Sequence, residues 1–164
     1  MIETKRLLLR VHEPQDLDAY AAFRAELAAE RIRRHTAWAR LLRSIGHHSL
    51  FGFGNFLAFD RATGDLVGEA GFNYFERGIG PDFDPAPEAM WMIRKADQGK
   101  ALASEAMQAI VAWFDATIDI TRTVAMVDAP NEPSLRIAER LGFRSFRETT
   151  YDGKLMILFE RVRD

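Results

Sequence analysis

The segment from Leu102 to Phe114 constrains the fold most. Ala106, Ile110, Trp113 and Phe114 fall on one face of a helix there, with Ala103, Met107 and Val111 beside them. A helix with so broad an apolar face has to bury it against another layer. The rest of the chain offers a sheet for that purpose. Residues 6–11, 56–59, 65–75, 89–93, 121–127, 144–150 and 155–162 read as strands, and Ala62, Thr63 and Gly64 supply the turn of a hairpin. Helical spacing also covers residues 17–30 after Pro14, Gln15 and Asp16, and continues over 31–44 until Gly46, His47, His48 and Ser49 break it. A last helix follows Asn131, with Leu135, Ala138 and Leu141 on one face and Gly142 ending it in a left-handed conformation. Strands first and then strand-helix-strand-helix-strand-strand, without an internal repeat, predicts an α+β domain.

Composition narrows the function classes. At 164 residues, with 48% apolar and 28% charged side chains, the chain forms one domain with a sizeable core. The 22 basic and 24 acidic residues leave a formal charge of −2, so no overall field draws it to nucleic acid. The absence of cysteine removes disulfides, thiolate metal sites and cysteine nucleophiles together. His47 and His48 are adjacent and so point apart, without a carboxylate cluster nearby, and no metal site is expected. Residues 1–11 are too short an alternation for a signal peptide and no 18-residue apolar run follows, so a cytoplasmic location without membrane contact is expected.

Candidate chemistry lies in Gln98-Gly99-Lys100-Ala101-Leu102-Ala103-Ser104-Glu105, between a strand and the long helix. Small residues let a phosphate approach the backbone, and free N–H groups at a helix N-terminus add donors and a favourable dipole. It is no P-loop, because Ala101 rather than Ser or Thr follows Lys100. Gly78 and Gly80 form a G-x-G, but Pro85 and Pro87 follow where a dinucleotide fingerprint needs a helix. Residues 77–87, rich in Gly, Pro and Asp, are expected to be a surface loop outside the core.

These elements and residues together resemble the GNAT N-acetyltransferase superfamily, and within it the branch resembling ribosomal-protein N-terminal acetyltransferases. The marks are Glu3-Thr4-Lys5-Arg6-Leu7, Thr63-Gly64-Asp65-Leu66-Val67-Gly68, Gln98 to Glu105, and Asn131-Glu132-Pro133-Ser134 leading to Leu141-Gly142-Phe143. The resemblance implies a mixed, mostly antiparallel twisted sheet of about seven strands with about four helices. It implies an acetyl-CoA cosubstrate and an amine acceptor, a small molecule or a protein N-terminus. Gln98, Gly99, Lys100, Ala101, Leu102 and Ala103, with Ser104 next to them, would hold the pyrophosphate, and the Met92, Ile93 and Arg94 backbone would pair with the pantetheine arm. Asn131 and Ser134 match positions near the thiol. Three residues depart from the pattern: Ala101 stands for a usual glycine, Ala138 for a frequent tyrosine acid, and Met90 for a glycine at a strand bulge.

An amine acceptor must lose a proton before it attacks a thioester. Glu88, at an acidic position of the family, is the expected base and Glu69 the second candidate. A strand N–H near Met92 would polarise the thioester oxygen, and Ser134 or water would protonate the sulfur. Asn131 also suits a helix N-cap. Trp38, Phe51, Phe53 and Tyr74 receive no role. The alternative is a non-catalytic acyl-CoA-binding or sensing module. A homodimer through terminal strands or helices is compatible with the sequence.

Overall fold

Residues 1–27 and 32–163 are described by the computed structural model. Among them the alternating segments join one eight-stranded sheet: β1 (Ile2–Glu3), β2 (Leu7–Arg10), β3 (Asn55–Asp60), β4 (Leu66–Asn73), β5 (Glu88–Ile93), β6 (Arg122–Asp128), β7 (Arg144–Tyr151) and β8 (Lys154–Val162). Their spatial order is β1-β2-β3-β4-β5-β6-β8-β7, antiparallel everywhere except between β5 and β6. The helices are α1 (Leu17–Leu27), α2 (Arg34–Phe51), α3 (Leu102–Thr117) and α4 (Glu132–Arg140). The α+β expectation holds, and the strand beyond seven is the two-residue β1, which pairs Ile2 with Leu9. The expected helical continuation through Ala28 to Arg31 lies outside the described residues.

The apolar face of α3 behaves as its spacing demands. Leu102, Ala106, Met107, Ile110 and Phe114 are buried against Phe56, Ala70, Phe72, Ala89 and Ala125 of the sheet. At the full burial seen for Ile110 and Phe114, each such side chain stabilises the fold by roughly 1.5 to 3 kcal/mol. α1 and α2 cover part of the opposite face, where Tyr20, Phe23, Ala37 and Leu41 pack on Leu57 and Leu66. Between these layers β4 approaches β3 so closely that a Cβ on Gly71 would stand 2.3 Å from the Gly54 carbonyl oxygen. Only glycine fits there.

Two expectations fail. α2 does not break at Gly46, His47, His48 and Ser49 but runs to Phe51 and stops at Gly52, which takes a φ of 75°. Ala37, Leu41, Ser44 and His47 form a buried stripe at helical spacing, and that burial outweighs the roughly 1 kcal/mol that a helical glycine costs. Residues 77–87 are also not simply surface loop, because Phe83 and Ala86 are buried on Val124 and Leu158. The helices α1 and α2 leave that end of the sheet face uncovered, and the loop supplies the missing apolar cover.

Candidate active site

The only parallel pairing in the described sheet is also its shortest interior one. β5 meets β6 at Glu88 with Val124 and Ala89 with Ala125, and no further pairs follow. From Met90 onward the strands diverge and leave a wedge. The Pro87 carbonyl accepts from Val124 N–H on the β6 side, while Arg94 N–H donates to Val67 O on the β4 side. Strand alternation then turns the Trp91 and Ile93 N–H groups into the wedge and the Met92 N–H toward β4. The Met92 N–H itself points to β4, so the free donors near Met92 are those of Trp91 and Ile93. The expected bulge at Met90 is also absent, since β4 and β5 pair in unbroken register from Gly68 with Ile93 to Asn73 with Glu88. Divergence of β6, rather than a kink in β5, opens the sheet.

The wedge holds a cavity of about 180 Å3 lined by Glu88, Trp91, Met126, Asn131 and Ser134. It continues past α4 into a second cavity of about 400 Å3 that includes Ile93, Gln98, Ala103 and Ile137. Asn131 caps α4, its Oδ1 accepting from Ser134 N–H at 3.2 Å. Trp91 Nε1–H donates to Ser134 Oγ at 3.2 Å, which leaves the Ser134 hydroxyl proton free to be donated elsewhere. Ala138 is fully buried in the core and offers no acid.

Below the wedge, the loop before α3 is built for close approach. Gly99 has a φ of 79°, with no atom within 4 Å of where a Cβ would be. Ala101 is the N-cap of α3 with a φ of 60° and no side-chain cap, so the first amides of the helix at Leu102, Ala103 and Ser104 have no intrahelical acceptor. Asp97 ties Arg94 Nε at 2.6 Å and Lys100 Nζ at 2.7 Å into the same turn. Glu105 anchors it to the N-terminal strands by accepting from Thr4 Oγ1 at 2.6 Å and from Arg6 N–H at 2.8 Å and Nε at 2.7 Å. Arg6 also donates to the Lys100 carbonyl.

The opposite face of the sheet carries a third cavity, of about 460 Å3, with Glu69 at its floor. Glu69 is buried and accepts from His12 Nε2 at 3.1 Å, Tyr20 Oη at 3.3 Å, Arg24 Nη1 at 3.2 Å and Asn55 Nδ2 at 3.2 Å. Burial opposes its charge, but these donors win and hold its carboxyl below the ordinary range. Asn73 donates to Asn55 and stands opposite Glu88 across β4 and β5. Glu88 is buried too, and burial pushes its carboxyl up although Arg77 opposes this. Met92 lines all three cavities and marks where they meet.

A family model for the acetyltransferase (GNAT) domain matches residues 6–144. The chain belongs to the GNAT acetyltransferase family. A Bordetella pertussis protein named putative GnaT-family acetyltransferase has a structure that superposes with a TM-score of 0.94 at 38% identity, covering 98% of each chain. A Bacillus licheniformis protein named uncharacterized N-acetyltransferase p20 is 26% identical over 148 residues, 86% of this chain and 80% of that one. The ribosomal L7/L12 N-terminal acetyltransferase RimL, solved in complex with coenzyme A, shares the fold at 18% identity, with a TM-score of 0.77 over 97% of this chain and 95% of that one.

In this GNAT chain the residues expected around the cosubstrate come together: Met92, Ile93, Gln98, Ala103, Asn131 and Ser134 line joined cavities. Arg94, Gly99, Lys100, Ala101, Leu102 and Ser104 form the turn beside them, with the Leu102 side chain in the core and only its amide available. His47, expected in a loop, is helical and fixed: its Nδ1 meets the Phe53 carbonyl at 2.9 Å and its Nε2 accepts from Tyr74 N–H at 3.0 Å. Trp38, Phe51, Phe53 and Tyr74 do not line the Glu69 cavity. Sequence reading missed His12, Tyr20, Asn55, Asn73, Arg77 and Tyr151, which come from separate elements and carry no local motif. Among the described residues, no helix is long and apolar enough to cross a membrane, and no group of three metal-ligating side chains is assembled.

Proposed function

We propose that this GNAT protein is an acetyl-CoA-dependent N-acetyltransferase that passes the acetyl group by direct attack of a primary amine, on a small molecule or a protein N-terminus. The observation that supports it best is the wedge: an opening through the sheet that joins a phosphate-type turn on one face to a carboxylate-floored cavity on the other. The turn from Gln98 to Ser104 would hold the pyrophosphate on free amides and the α3 dipole. The Trp91 and Ile93 backbone would bond the pantetheine amides, and one of their N–H groups would stabilise charge growing on the thioester oxygen. The amine approaches from the Glu69 side, where the ionised carboxylate attracts its ammonium form. Glu88, made more basic by burial, takes the proton through a water. Ser134, its hydroxyl proton uncommitted, or a water then protonates the departing thiolate, and Asn131 fixes the turn that holds Ser134.

Calorimetry with coenzyme A and thiol release from acetyl-CoA over a panel of amines test this reading. Binding with turnover is expected. No binding at millimolar coenzyme A would overturn it, and binding without turnover on any amine would leave a sensing module instead.

A further inference from the structure

We infer that the preferred acceptor is an amine that also carries an anionic group, a carboxylate or a phosphate. The inference rests on the transfer reading for the reacting end of the acceptor, and on a separate observation for its other end. Arg24, Arg40, Arg43 and Arg77 all line the Glu69 cavity, against two carboxylates, Glu69 and Glu76. Arg77 is taken by Glu88, and Arg24 by Glu69 and the Met92 sulfur. Arg40 and Arg43, one helical turn apart on α2, face the cavity together with Ser44 and form no ion pair among the described residues. Burial and the neighbouring Arg24 and Arg43 charges weaken the hold of Arg40 on its proton. A cation facing other cations in a half-enclosed cavity is a standing repulsion, and a bound anion relieves it.

The chemistry of the two ends is complementary. Glu69 sits at the floor near Met92, where the wedge opens, and suits an ammonium group. The guanidinium forks of Arg40 and Arg43 match the paired oxygens of a carboxylate or phosphate. A polycationic amine is repelled by the same residues, so the cavity selects by exclusion as well as attraction.

The test compares kcat/KM for alanine amide, alanine, a dipeptide amide with aspartate second, aminoethyl phosphate and spermidine, with acetyl-CoA saturating. A charge-assisted contact predicts that at least one anionic amine exceeds alanine amide by about tenfold or more. Whether alanine, aminoethyl phosphate or the acidic dipeptide leads distinguishes a small molecule from a peptide N-terminus. In Arg40→Gln with Arg43→Gln the ratio of anionic to neutral acceptor should collapse toward one, and Arg43→Glu, at an exposed position, should shift preference toward spermidine. Calorimetry of aminoethyl phosphate and alanine on the coenzyme A-loaded protein reads the same site without turnover. Arginine-dependent binding without acetylation would support the anion site while removing the transfer reading. Equal or better use of alanine amide or spermidine, an unchanged ratio in the double variant, or no anionic amine either bound or acetylated would overturn the inference.

Discussion

Arg77 grips both carboxylate oxygens of Glu88, Nε at 2.6 Å from Oε2 and Nη2 at 2.9 Å from Oε1, at the point where β5 and β6 part. The pair fixes the orientation of the carboxylate, and each oxygen keeps a lone pair for a water. Glu88→Gln should therefore retain shape and coenzyme A affinity but lower turnover by roughly 10²-fold, with the deficit shrinking at high pH, where the amine is already neutral. A pH-rate profile with a working acceptor checks it, and unchanged turnover would remove Glu88 from the mechanism. Arg77→Ala is expected to be worse for the fold, since a buried carboxylate left without its partner typically costs about 3 kcal/mol or more, readable by urea unfolding.

Ala101 holds a left-handed conformation, with a φ of 60°, in the turn before α3. A side chain there costs on the order of 1 kcal/mol, which glycine avoids. Ala101→Gly should raise stability by about that amount, or Tm by roughly 2 to 4 °C. It should also bind coenzyme A at least as tightly. A loss of Tm would show that the loss of chain stiffness outweighs the relief of strain.

Trp91 reaches across the wedge to Ser134, where a cosubstrate arm would have to pass. Binding of coenzyme A should move the indole and change tryptophan emission. Trp38 and Trp113 lie elsewhere, so Trp91→Phe should abolish most of the change while calorimetry still detects binding. An unaltered emission change in that variant would exclude movement of Trp91 as its source.

His47 is held neutral, chiefly by burial, which places its folded-state pKa below the usual 6.5. As pH falls through that value the unfolded chain takes up a proton that the folded state resists, so stability is complete about one pH unit above 6.5 and declines as pH falls toward the folded value. Tm should drop between about pH 7.5 and pH 5.5, with His48 shifted in the same direction and adding to the slope. His47→Gln should flatten part of that slope. Titration of the His47 ring by NMR at or above 6.5 would contradict the sign.

Local signals led to the half of the candidate site that is proposed to bind along the backbone. Gly99, the start of α3 and the Asn131 cap each announce themselves within a few residues, because turns and helix ends are set by neighbours in sequence. The cavity floored by Glu69 was invisible by the same logic. His12, Arg24, Asn55 and Glu69 meet only after the segment following β2 has packed with α1, β3 and β4, and no spacing encodes such a meeting. His47 and His48 failed in a related way: Gly46 beside them reads as a break, while the buried stripe that holds α2 together extends over three turns and outweighs it. Residues 77–87 read as loop correctly, but the burial of Phe83 depends on a patch of β6 and β8 that only the tertiary structure leaves bare.

A sheet that stops pairing in its own middle has an edge that no neighbouring protein can reach. Adjacent strands sit about 4.8 Å apart, so the slot left by the missing rungs admits a single slender chain with its own amides and little else. Edges at the rim of a sheet invite aggregation, whereas this one is sheltered by α3 and α4 and, on the proposed reading, would take a thread-like ligand. Filling it completes the sheet, so saturation and rigidity should rise together. Amide exchange at Trp91 and Ile93 would then slow when the slot is occupied, reporting occupancy with or without chemistry.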